Sequence, residues 1–351
     1  MDPCGCLLAV FPIGIVYGQS THLYLMKKPG GSMAFPSRIH RRHIIAIFLL
    51  WSLLAIFFHH YNSGGLKREK IRKGDGMCPP VSPLLNGWTD VSNYTRNALS
   101  YSGRSPLQLG GSYQPVECRT NRKLAVVVPY RNRNSQLDIF LRYLHPFLQR
   151  QQLDYTIFVV EQTGKLTNPF NRGMLMNIGF TEALRLRSFD CFVFHDVDLL
   201  PEDDRNSYAC PEVGEPRHLS VAINTFDYRP IGPNHFGGVS SLTTVDFVAV
   251  NGFSNRFWGW GGEDDDLYDR LRSKNLTVRR HRPLRQTRYT MLPHDTAKPN
   301  PDRKRILQEN QFNASKAMMA DGLITLKYRI LDLQFKSLST HIFVEIERQF
   351  N

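Results

Sequence analysis

The residues with the strongest chemical signature lie at positions 258–266, which read Trp-Gly-Trp-Gly-Gly-Glu-Asp-Asp-Asp. Four adjacent carboxylates repel one another, and this repulsion raises the proton affinity of each of them. The glycines before them let the backbone approach a ligand closely. Such a segment suits a site in which a carboxylate accepts hydrogen bonds or a proton. The alternative is that the acids only supply negative charge at the N-terminus of a helix continuing from Leu267, an interpretation that fits Asp266 best.

A second acidic pair, Asp196 and Asp198, directly follows the apolar segment Cys191–Phe194. A D-x-D pair by itself is common on protein surfaces. This pair is more informative because ligands of open α/β sheets bind beyond the carboxyl ends of the strands. Carboxylate oxygens at that edge suit a metal ion. Together, the two acidic clusters favour a metal-dependent enzyme that acts on a sugar nucleotide.

The elements that must position these acids follow from the pattern after Lys123, where short apolar segments alternate with amphipathic ones. This order is typical of an α/β fold with an open sheet and right-handed crossovers. Pro146 is expected to kink or end the first helix. The predicted strands are residues 124–128, 155–160, 191–194, 219–223 and 246–250, and the predicted helices are residues 135–151, 172–187 and 267–274.

The composition is that of a globular protein with an excess of positive charge. The chain has 351 residues, of which 42% are hydrophobic, and a formal net charge of +13. This length provides one large domain or two smaller ones with a sizeable core. The basic residues are scattered and form no zinc-finger spacing or other compact motif, so we expect no nucleic acid among the partners. The positive charge suits anionic substrates such as nucleoside diphosphates.

A long apolar segment, Ile44–Phe58, predicts a single transmembrane signal-anchor over residues 44–60. As a helix the segment reaches roughly 22 Å, less than the ~30 Å hydrocarbon core, and its flanking histidines can lie at the interfaces. The alternative is a buried core helix, but the segment is not amphipathic. Basic residues flank both ends, so the positive-inside rule does not decide the orientation.

The residues after this span have the features of a lumenal domain. The sequons at Asn93, Asn275 and Asn313 all follow it, and so do four of the six cysteines. We therefore predict glycosylation at these three asparagines. The predicted domains are a cytoplasmic tail at 1–43, with Met33 as an alternative start, a membrane anchor at 44–60, a stem at 61–77 and a lumenal catalytic domain at 78–351.

The motifs along residues 78–346 resemble, in the same order, those of the β-1,4-galactosyltransferase family, which includes invertebrate β-1,4-N-acetylgalactosaminyltransferases. Their length and order make the resemblance specific. The segments that carry it are Val128-Pro-Tyr-Arg-Asn-Arg133, residues 144–155, Phe170-Asn-Arg172, Phe194-His-Asp-Val-Asp198, Phe236-Gly-Gly-Val-Ser240, residues 258–266 and Asp321-Gly-Leu323.

The resemblance implies a GT-A-type glycosyltransferase fold, a Rossmann-like open twisted sheet flanked by helices, in a single-pass type II membrane protein of the Golgi. It implies transfer of galactose (Gal) or N-acetylgalactosamine (GalNAc) from a UDP-sugar, with Mn²⁺ as cofactor and inversion at the anomeric carbon. The expected acceptor is the 4-hydroxyl of a terminal N-acetylglucosamine (GlcNAc) on a glycoprotein or glycolipid.

The resemblance also implies the roles of individual residues. Asp198, Met291 and His294 would bind the metal, although a thioether is a soft ligand for Mn²⁺ and Met291 is alternatively a packing residue. Asp264 would be the general base, and Trp260 would stack on sugar unless it is a core aromatic. The acceptor would contact Gly262, Glu263, Asp264, Asp265 and Arg303. The UDP-sugar would contact Pro129, Arg131, Arg133, Phe170, Arg172, Val197, Asp198, Gly238 and Trp260.

Two further expectations come from the resemblance. Cys78 should pair with Cys118 and Cys191 with Cys210, whereas the residues alone leave three pairings open, and free buried thiols as well. Residues 292–312 correspond to a mobile lid over metal and nucleotide.

The chain departs from the family at three positions. His235 stands where the family has an aromatic residue that crowds the 2-position of the donor sugar, so we assign it to donor selectivity with Gal and GalNAc both open. Thr225 replaces a lysine, and Lys304 an aromatic residue.

Two other functional classes compete with an active transferase. One is a membrane-anchored sugar-binding protein on a disabled transferase scaffold, and the other is a metal-dependent phosphohydrolase. The presence of Asp198, His294 and Asp264 argues against the first, and the tryptophan-rich loop argues against the second.

Overall fold

Parallel strands in the centre of the structure place the predicted site at their carboxyl ends. The structure is a computed structural model that describes residues 76–91, 107–164, 168–295 and 297–348, all within the unit Lys70–Asn351. The strands are β1 (Ser112–Tyr113), β2 (Lys123–Tyr130), β3 (Asp154–Gln162), β4 (Cys191–His195), β5 (Leu199–Pro201), β6 (Arg217–His218), β7 (Ala222–Ile223), β8 (Val239–Thr243), β9 (Arg279–Arg280), β10 (Arg288–Met291), β11 (Arg329–Phe335) and β12 (Thr340–Glu345).

The helices are α1 (Asn134–Arg150), α2 (Arg172–Leu186), α3 (Thr244–Ala249), α4 (Glu263–Ser273), α5 (Arg303–Phe312) and α6 (Ala314–Ala320). Single 3₁₀ turns occupy Asn224–Phe226, Leu284–Thr287 and Leu323–Thr325.

Within the described residues, nine strands join in one mixed sheet. Eight of them have the order β11-β12-β3-β2-β4-β8-β6-β9, and the ninth, β1, pairs with β3 outside this order. The pairs β2–β3, β2–β4 and β3–β12 are parallel, whereas β8 runs antiparallel to β4. A second sheet has the order β5-β10-β7. It brings the segment after Asp198 next to the segment before His294.

Alternate residues of β2 pack on the two faces of the large sheet, as the twofold period of a strand requires. Val126 lies in one core cluster with residues of α1, and Val127 lies in the other cluster with residues of α2. These two helices therefore cover opposite faces. Both clusters are continuous and apolar, which explains why the central strands are apolar throughout rather than alternating.

Three predicted elements differ from the structure. Residues 246–250 are not a strand, because the helix α3 begins after Thr243, whose hydroxyl accepts a hydrogen bond from the Asp246 amide (3.1 Å). The predicted strand 219–223 is divided between β6 and β7. The predicted helix 267–274 begins earlier, at Glu263, as α4. Pro146 lies inside α1, which continues to Arg150, so Pro146 does not end this helix.

Both disulfides predicted from the family resemblance are confirmed. Cys78 is bonded to Cys118 and Cys191 to Cys210. The second bond attaches the beginning of β4 to the loop before β6.

The predicted tail, membrane anchor and nearly all of the stem lie outside the described residues, as does Asn93. Within the part of the chain that is described, no helix has the length and apolar character needed to cross a membrane.

Candidate active site

Asp198 and His294 meet at the carboxyl end of β4. The backbone amide of Leu292 donates a hydrogen bond to the carbonyl oxygen of Asp198 (2.7 Å), and β10 pairs with β5 so that Met291 lies opposite Leu199. The His294 Nε2 atom is 3.1 Å from Asp198 Oδ2. An oxygen and a nitrogen donor this close together can bind one ion, and both suit Mn²⁺.

The electrostatics of Asp198 also fit a cation. Burial and, to a lesser degree, the carboxylate of Asp196 raise the pKa of Asp198. The guanidinium of Arg133 contacts the Asp198 carboxylate and lies 3.3 Å from His294 Nδ1, so a positive group already bridges the two predicted ligands. The thioether of Met291 contacts the Thr225 hydroxyl (3.8 Å). In the described ranges no cluster of three or more His, Cys, Asp or Glu side chains forms a metal site.

Arg172 connects the two acidic clusters. It is the first residue of α2, whose N-terminus is capped by the Asn171 side chain, which accepts a hydrogen bond from the Met174 amide (2.9 Å). The Arg172 guanidinium contacts Asp196 (2.6 Å) and Glu263 (3.4 Å). Burial by itself would lower the pKa of Arg172, but these carboxylates raise it. The acids at positions 196 and 263 therefore share one cation, although 67 residues separate them in the chain.

The four consecutive acids form the first turn of α4 and have different surroundings. Asp266 is buried and pairs with Arg270 (2.6 Å), and it accepts a hydrogen bond from Asn310 (2.6 Å). Its role is therefore structural. Burial and the neighbouring Asp264 raise the pKa of Glu263 to about 7 and that of Asp265 to about 6. The turn thus holds protonatable carboxyls beside the site.

Asp264 faces the segment that precedes β8. Its Oδ2 atom lies 3.5 Å from Nδ1 of His235. A Cβ atom on Gly237 would lie only 2.4 Å from the same oxygen, so glycine is required for this close approach. The side chain of Asp264 is partly exposed, at 16%. It is therefore accessible to an acceptor hydroxyl while its position is restricted on two sides.

Trp260 lies on the surface next to α5. Its relative exposure is 60%, which excludes the core-aromatic interpretation. The Arg303 guanidinium carbon lies 5.7 Å from the centre of the indole. Two backbone hydrogen bonds join Trp260 to the lid segment: its amide donates to Lys298 (3.2 Å), and its carbonyl accepts from Asn300 (2.9 Å). Gly262, with a φ of 101°, leads from this loop into α4.

The residues assigned to the nucleotide lie along the ends of β2, β4 and β8. Pro129 is the second-to-last residue of β2. Arg131 directly follows this strand, and its guanidinium carbon lies 5.2 Å from the centre of the Phe170 ring. Val197 is buried between the two acids of the D-x-D pair. Gly238 has a φ of 74° and packs against Ser220, where a Cβ atom would be 2.5 Å from the hydroxyl oxygen.

A buried network behind the D-x-D pair was missed by sequence reasoning. His195 is fully buried, and burial lowers its pKa to about 4. Its Nδ1 contacts the carbonyl of Asp196 (2.9 Å) and its Nε2 the hydroxyl of Tyr208 (2.9 Å), which contacts Tyr289 (2.8 Å). Because the carbonyl of Asp196 can only accept, the neutral imidazole of His195 donates at Nδ1 and accepts at Nε2. The signal available in the sequence was a histidine directly before the acidic pair, at the end of an apolar strand.

Two family models match this chain. Residues 78–211 match the N-terminal region of glycosyl transferase group 7, and residues 217–295 match the N-terminal domain of galactosyltransferase. The chain is 42% identical to β-1,4-galactosyltransferase 4 of Cricetulus griseus over 281 residues, covering 79% of this chain and 78% of that protein. It is 44% identical to β-1,4-galactosyltransferase 1 of Mus musculus over 274 residues, covering 77% of this chain and 66% of that protein.

Solved structures show the same fold. The catalytic domain of Drosophila β-1,4-galactosyltransferase 7 in complex with xylobiose superposes with a TM-score of 0.55 at 28% identity, covering 65% of this chain and 95% of that one. A mutant of that enzyme in complex with manganese, UDP-Gal and xylobiose gives a TM-score of 0.50 at 29% identity, with the same coverage. The GT-A-type fold implied by the motifs is confirmed.

Proposed function

This chain belongs to the β-1,4-galactosyltransferase family, and we propose that it is an inverting, Mn²⁺-dependent β-1,4-glycosyltransferase. The donor is UDP-Gal or UDP-GalNAc, and the acceptor is the 4-hydroxyl of a terminal GlcNAc on a glycoprotein or glycolipid. The observation that carries the proposal is the pair of contacts made by Arg172. Its guanidinium contacts Asp196 of the D-x-D pair and Glu263 in the first turn of α4, and so connects the two acidic clusters.

Asp264 is the general base of the proposed reaction. The acceptor hydroxyl attacks the anomeric carbon from the face opposite UDP, and Asp264 accepts the hydroxyl proton as the new C–O bond forms and the bond to the diphosphate breaks. Glu263, Asp265, Gly262 and Arg303 orient the acceptor sugar. Holding both substrates in line removes much of the entropic cost of a bimolecular reaction.

Asp198, His294 and Met291 are the residues that would hold Mn²⁺, which when bound stabilises the charge on the leaving UDP. Arg131 and Arg133 follow β2 and contact the diphosphate, since guanidinium groups pair well with phosphate oxygens. To do so, Arg133 leaves the Asp198 carboxylate that it contacts in this structure. Phe170 packs against the uracil ring, and Trp260 stacks on sugar and moves with the lid segment.

The cellular setting belongs to the same proposal. Residues 44–60 anchor the protein in the Golgi membrane in the type II orientation, residues 61–77 form the stem, and the catalytic domain is lumenal. Asn275 and Asn313 are exposed and therefore accessible to glycosylation. A shift in electrophoretic mobility after endoglycosidase treatment, lost in the Asn275→Gln and Asn313→Gln variants, tests their use.

One assay separates this function from its two competitors. UDP release is measured from UDP-Gal and from UDP-GalNAc in the presence of Mn²⁺, with and without a GlcNAc acceptor. Release that depends on the acceptor supports the transferase, and the ratio of the two donors identifies the sugar. No release at all supports a sugar-binding protein, and release without acceptor supports a phosphohydrolase.

Replacing the base should separate catalysis from binding. We expect Asp264→Asn to lower kcat by at least about 100-fold, because the variant cannot accept the proton. UDP affinity, measured by calorimetry, should remain within about threefold, since Asp264 does not contact the nucleotide in this mechanism. Asp269→Asn is the matched control, because Asp269 is a partly exposed acid of the same helix that accepts a hydrogen bond from Gln311 (2.6 Å). Unchanged turnover in Asp264→Asn would exclude Asp264 as the base.

A further inference from the structure

The imidazole of His235 lies against the carboxylate of the proposed base. Its Nδ1 is 3.5 Å from Asp264 Oδ2, and the two side chains are 22% and 16% exposed. The backbone of Gly237 packs against both side chains: a Cβ atom at this position would lie 2.4 Å from Asp264 Oδ2 and 2.8 Å from His235 Cε1. The carboxylate is therefore held between an imidazole ring and a glycine backbone.

We propose that His235 is a positioning residue for Asp264, in which Nδ1–H donates to the carboxylate and holds it in line with the acceptor hydroxyl. This inference rests on the proposed function, since it concerns the base of that reaction. It assigns to His235 a role beyond donor selectivity. The separation of 3.5 Å is longer than a normal hydrogen bond, as catalytic hydrogen bonds in ligand-free enzymes often are before they shorten in the substrate complex.

Hydrogen bonds to its backbone hold the segment that carries His235 in place, and a positioning residue requires such support. The Arg280 guanidinium donates to the carbonyl oxygens of Pro233 (2.8 Å) and His235 (2.9 Å). His218 contacts the Gly237 carbonyl through Nε2 (2.9 Å), and its ring lies edge-on to that of His235 with 5.4 Å between centroids. The backbone on both sides of the ring is thus hydrogen-bonded to β6 and β9.

Burial keeps the ring of His235 neutral at physiological pH, and the charges around it act in both directions. Burial lowers the pKa of His235, and Arg172 in α2 and Arg280 in β9 act in the same direction. Asp264 in α4 and Asp196 after β4 oppose them. The remaining titratable neighbour, His218, has its pKa lowered to about 3 by burial and is also neutral. A neutral imidazole can donate at Nδ1 while Asp264 keeps the negative charge that a base needs.

Protonation of His235 would change this arrangement. The imidazolium would form an ion pair with Asp264, and an adjacent positive charge weakens a carboxylate as a base. The acid side of the pH–rate profile of the wild-type protein should therefore contain the titration of His235. In a variant without an ionisable side chain at position 235, that side of the profile should contain one titration fewer.

Two substitutions in the full-length chain test the role of the N–H group. His235→Phe keeps a ring of similar size but has no donor, whereas His235→Asn keeps an N–H close to the position of Nδ1. We expect kcat to fall by at least about tenfold in His235→Phe, because a loosened base is misplaced relative to its proton. The UDP affinity should stay within about twofold, and His235→Asn should retain kcat within about threefold. Equal kcat in wild type and His235→Phe, with identical pH profiles, would overturn the inference.

A measurement that does not need turnover distinguishes this inference from the proposed function. The pKa of His235 is followed by NMR of ¹³C-labelled histidine rings in the wild-type protein and in Asp264→Asn, with His235→Phe identifying the resonance. Removing the carboxylate should lower the pKa of His235 further. An unchanged pKa would contradict the contact, whether or not the protein transfers sugar. Absence of acceptor-dependent UDP release from the wild type would instead contradict the proposed function and leave a positive titration result intact.

Discussion

Glu263 differs from its acidic neighbours in that one of its oxygens, Oε2, is buried and has no hydrogen-bond partner in the described part of the chain. Its other oxygen lies 3.4 Å from Arg172. Burial and the Asp264 carboxylate together raise the pKa of Glu263 from its ordinary 4.5 to about 7. Such a group carries its proton in the folded protein under mildly acidic conditions and loses it near neutrality.

Glu263→Gln should therefore change how stability depends on pH. Between pH of about 4.5 and about 7, folded wild type keeps a proton that the unfolded chain has released, so its free energy of unfolding decreases as pH rises. Glutamine does not titrate. From pH 5 to pH 8, wild type should lose roughly 2 kcal/mol more than the variant, as measured by urea unfolding. Asp265 titrates in both proteins and cancels in the comparison. Equal losses in the two proteins would show that Glu263 is ionised throughout.

At this scale, the residue types predict the chemistry but not the contacts. Asp198, His294 and Asp264 were identified from motifs, and the structure brings Asp198 and His294 together. The contact between Arg133 and Asp198 was not predictable, because arginine and its partner are 65 residues apart and either could have faced solvent. The contact of His235 with Asp264 depends on the close approach of Gly237, which no spacing encodes.

The packing of α2 on the central sheet depends on a glycine. Gly179 faces the sheet, and a Cβ atom there would lie 2.3 Å from Val127 Cγ1 and 2.9 Å from Val160 Cγ2. Both valines are fully buried in strands, so neither can move without disturbing the core. Glycine at this position lets the helix carrying Arg172 lie close to the strand that precedes Arg131.

Gly179→Ala should destabilise the protein despite the higher helix propensity of alanine. The propensity gain is about 1 kcal/mol, whereas overpacking a core contact costs about 1–3 kcal/mol and the overlap here is severe. We expect a net loss of about 1–2 kcal/mol in urea unfolding. Gly232→Ala is the control, since a Cβ atom there meets nothing within 4 Å; it should be neutral within about 0.5 kcal/mol. A neutral Gly179→Ala would mean that α2 can shift away from the sheet.

Elements with long apolar or amphipathic patterns were predictable, and short ones were not. The central strands and α2 agree with prediction to within two residues at each end. Residues 246–250 were mistaken for a strand because five residues are too few to distinguish the period of a helix from that of a buried strand. The capping threonine at position 243, three residues before Asp246, was the available signal.

The Cys78–Cys118 bond encloses none of the proposed active-site residues, whereas the loop closed by Cys191–Cys210 contains Asp196 and Asp198. The two bonds close loops with sequence separations of 40 and 19 residues. In the chain-entropy account, loops of this size each stabilise a protein by about 3–4 kcal/mol. We expect Cys78→Ser/Cys118→Ser and Cys191→Ser/Cys210→Ser to lose about that amount in urea unfolding, and the variant lacking the longer loop to lose slightly more.

The UDP affinity of these disulfide variants gives the second half of the test. Where a variant remains folded, UDP affinity should equal that of wild type, because none of the four cysteines contacts the proposed site. A stability unchanged by removal of both bonds would show that the noncovalent contacts of the same segments already hold them.

The arrangement of the whole sheet was beyond prediction from one sequence. Strand β12 lies parallel to β3, which places residues 340–344 beside residues 158–162. Strand β8 runs antiparallel to β4, so the sheet is mixed, although alternating strands and helices favoured parallel pairs. Long-range pairings of this kind leave no local signature, since each strand is compatible with several neighbours.

The two backbone hydrogen bonds between Trp260 and the segment around Asn300 also have a practical use. They join the indole loop to the chain that follows His294, so neither can be displaced alone without leaving peptide groups unpaired. An exposed indole beside the Arg303 guanidinium has an emission spectrum that responds to a change in its surroundings. The protein thus carries an intrinsic fluorophore next to the proposed site, and a movement of the lid segment would be visible in its emission without any attached dye.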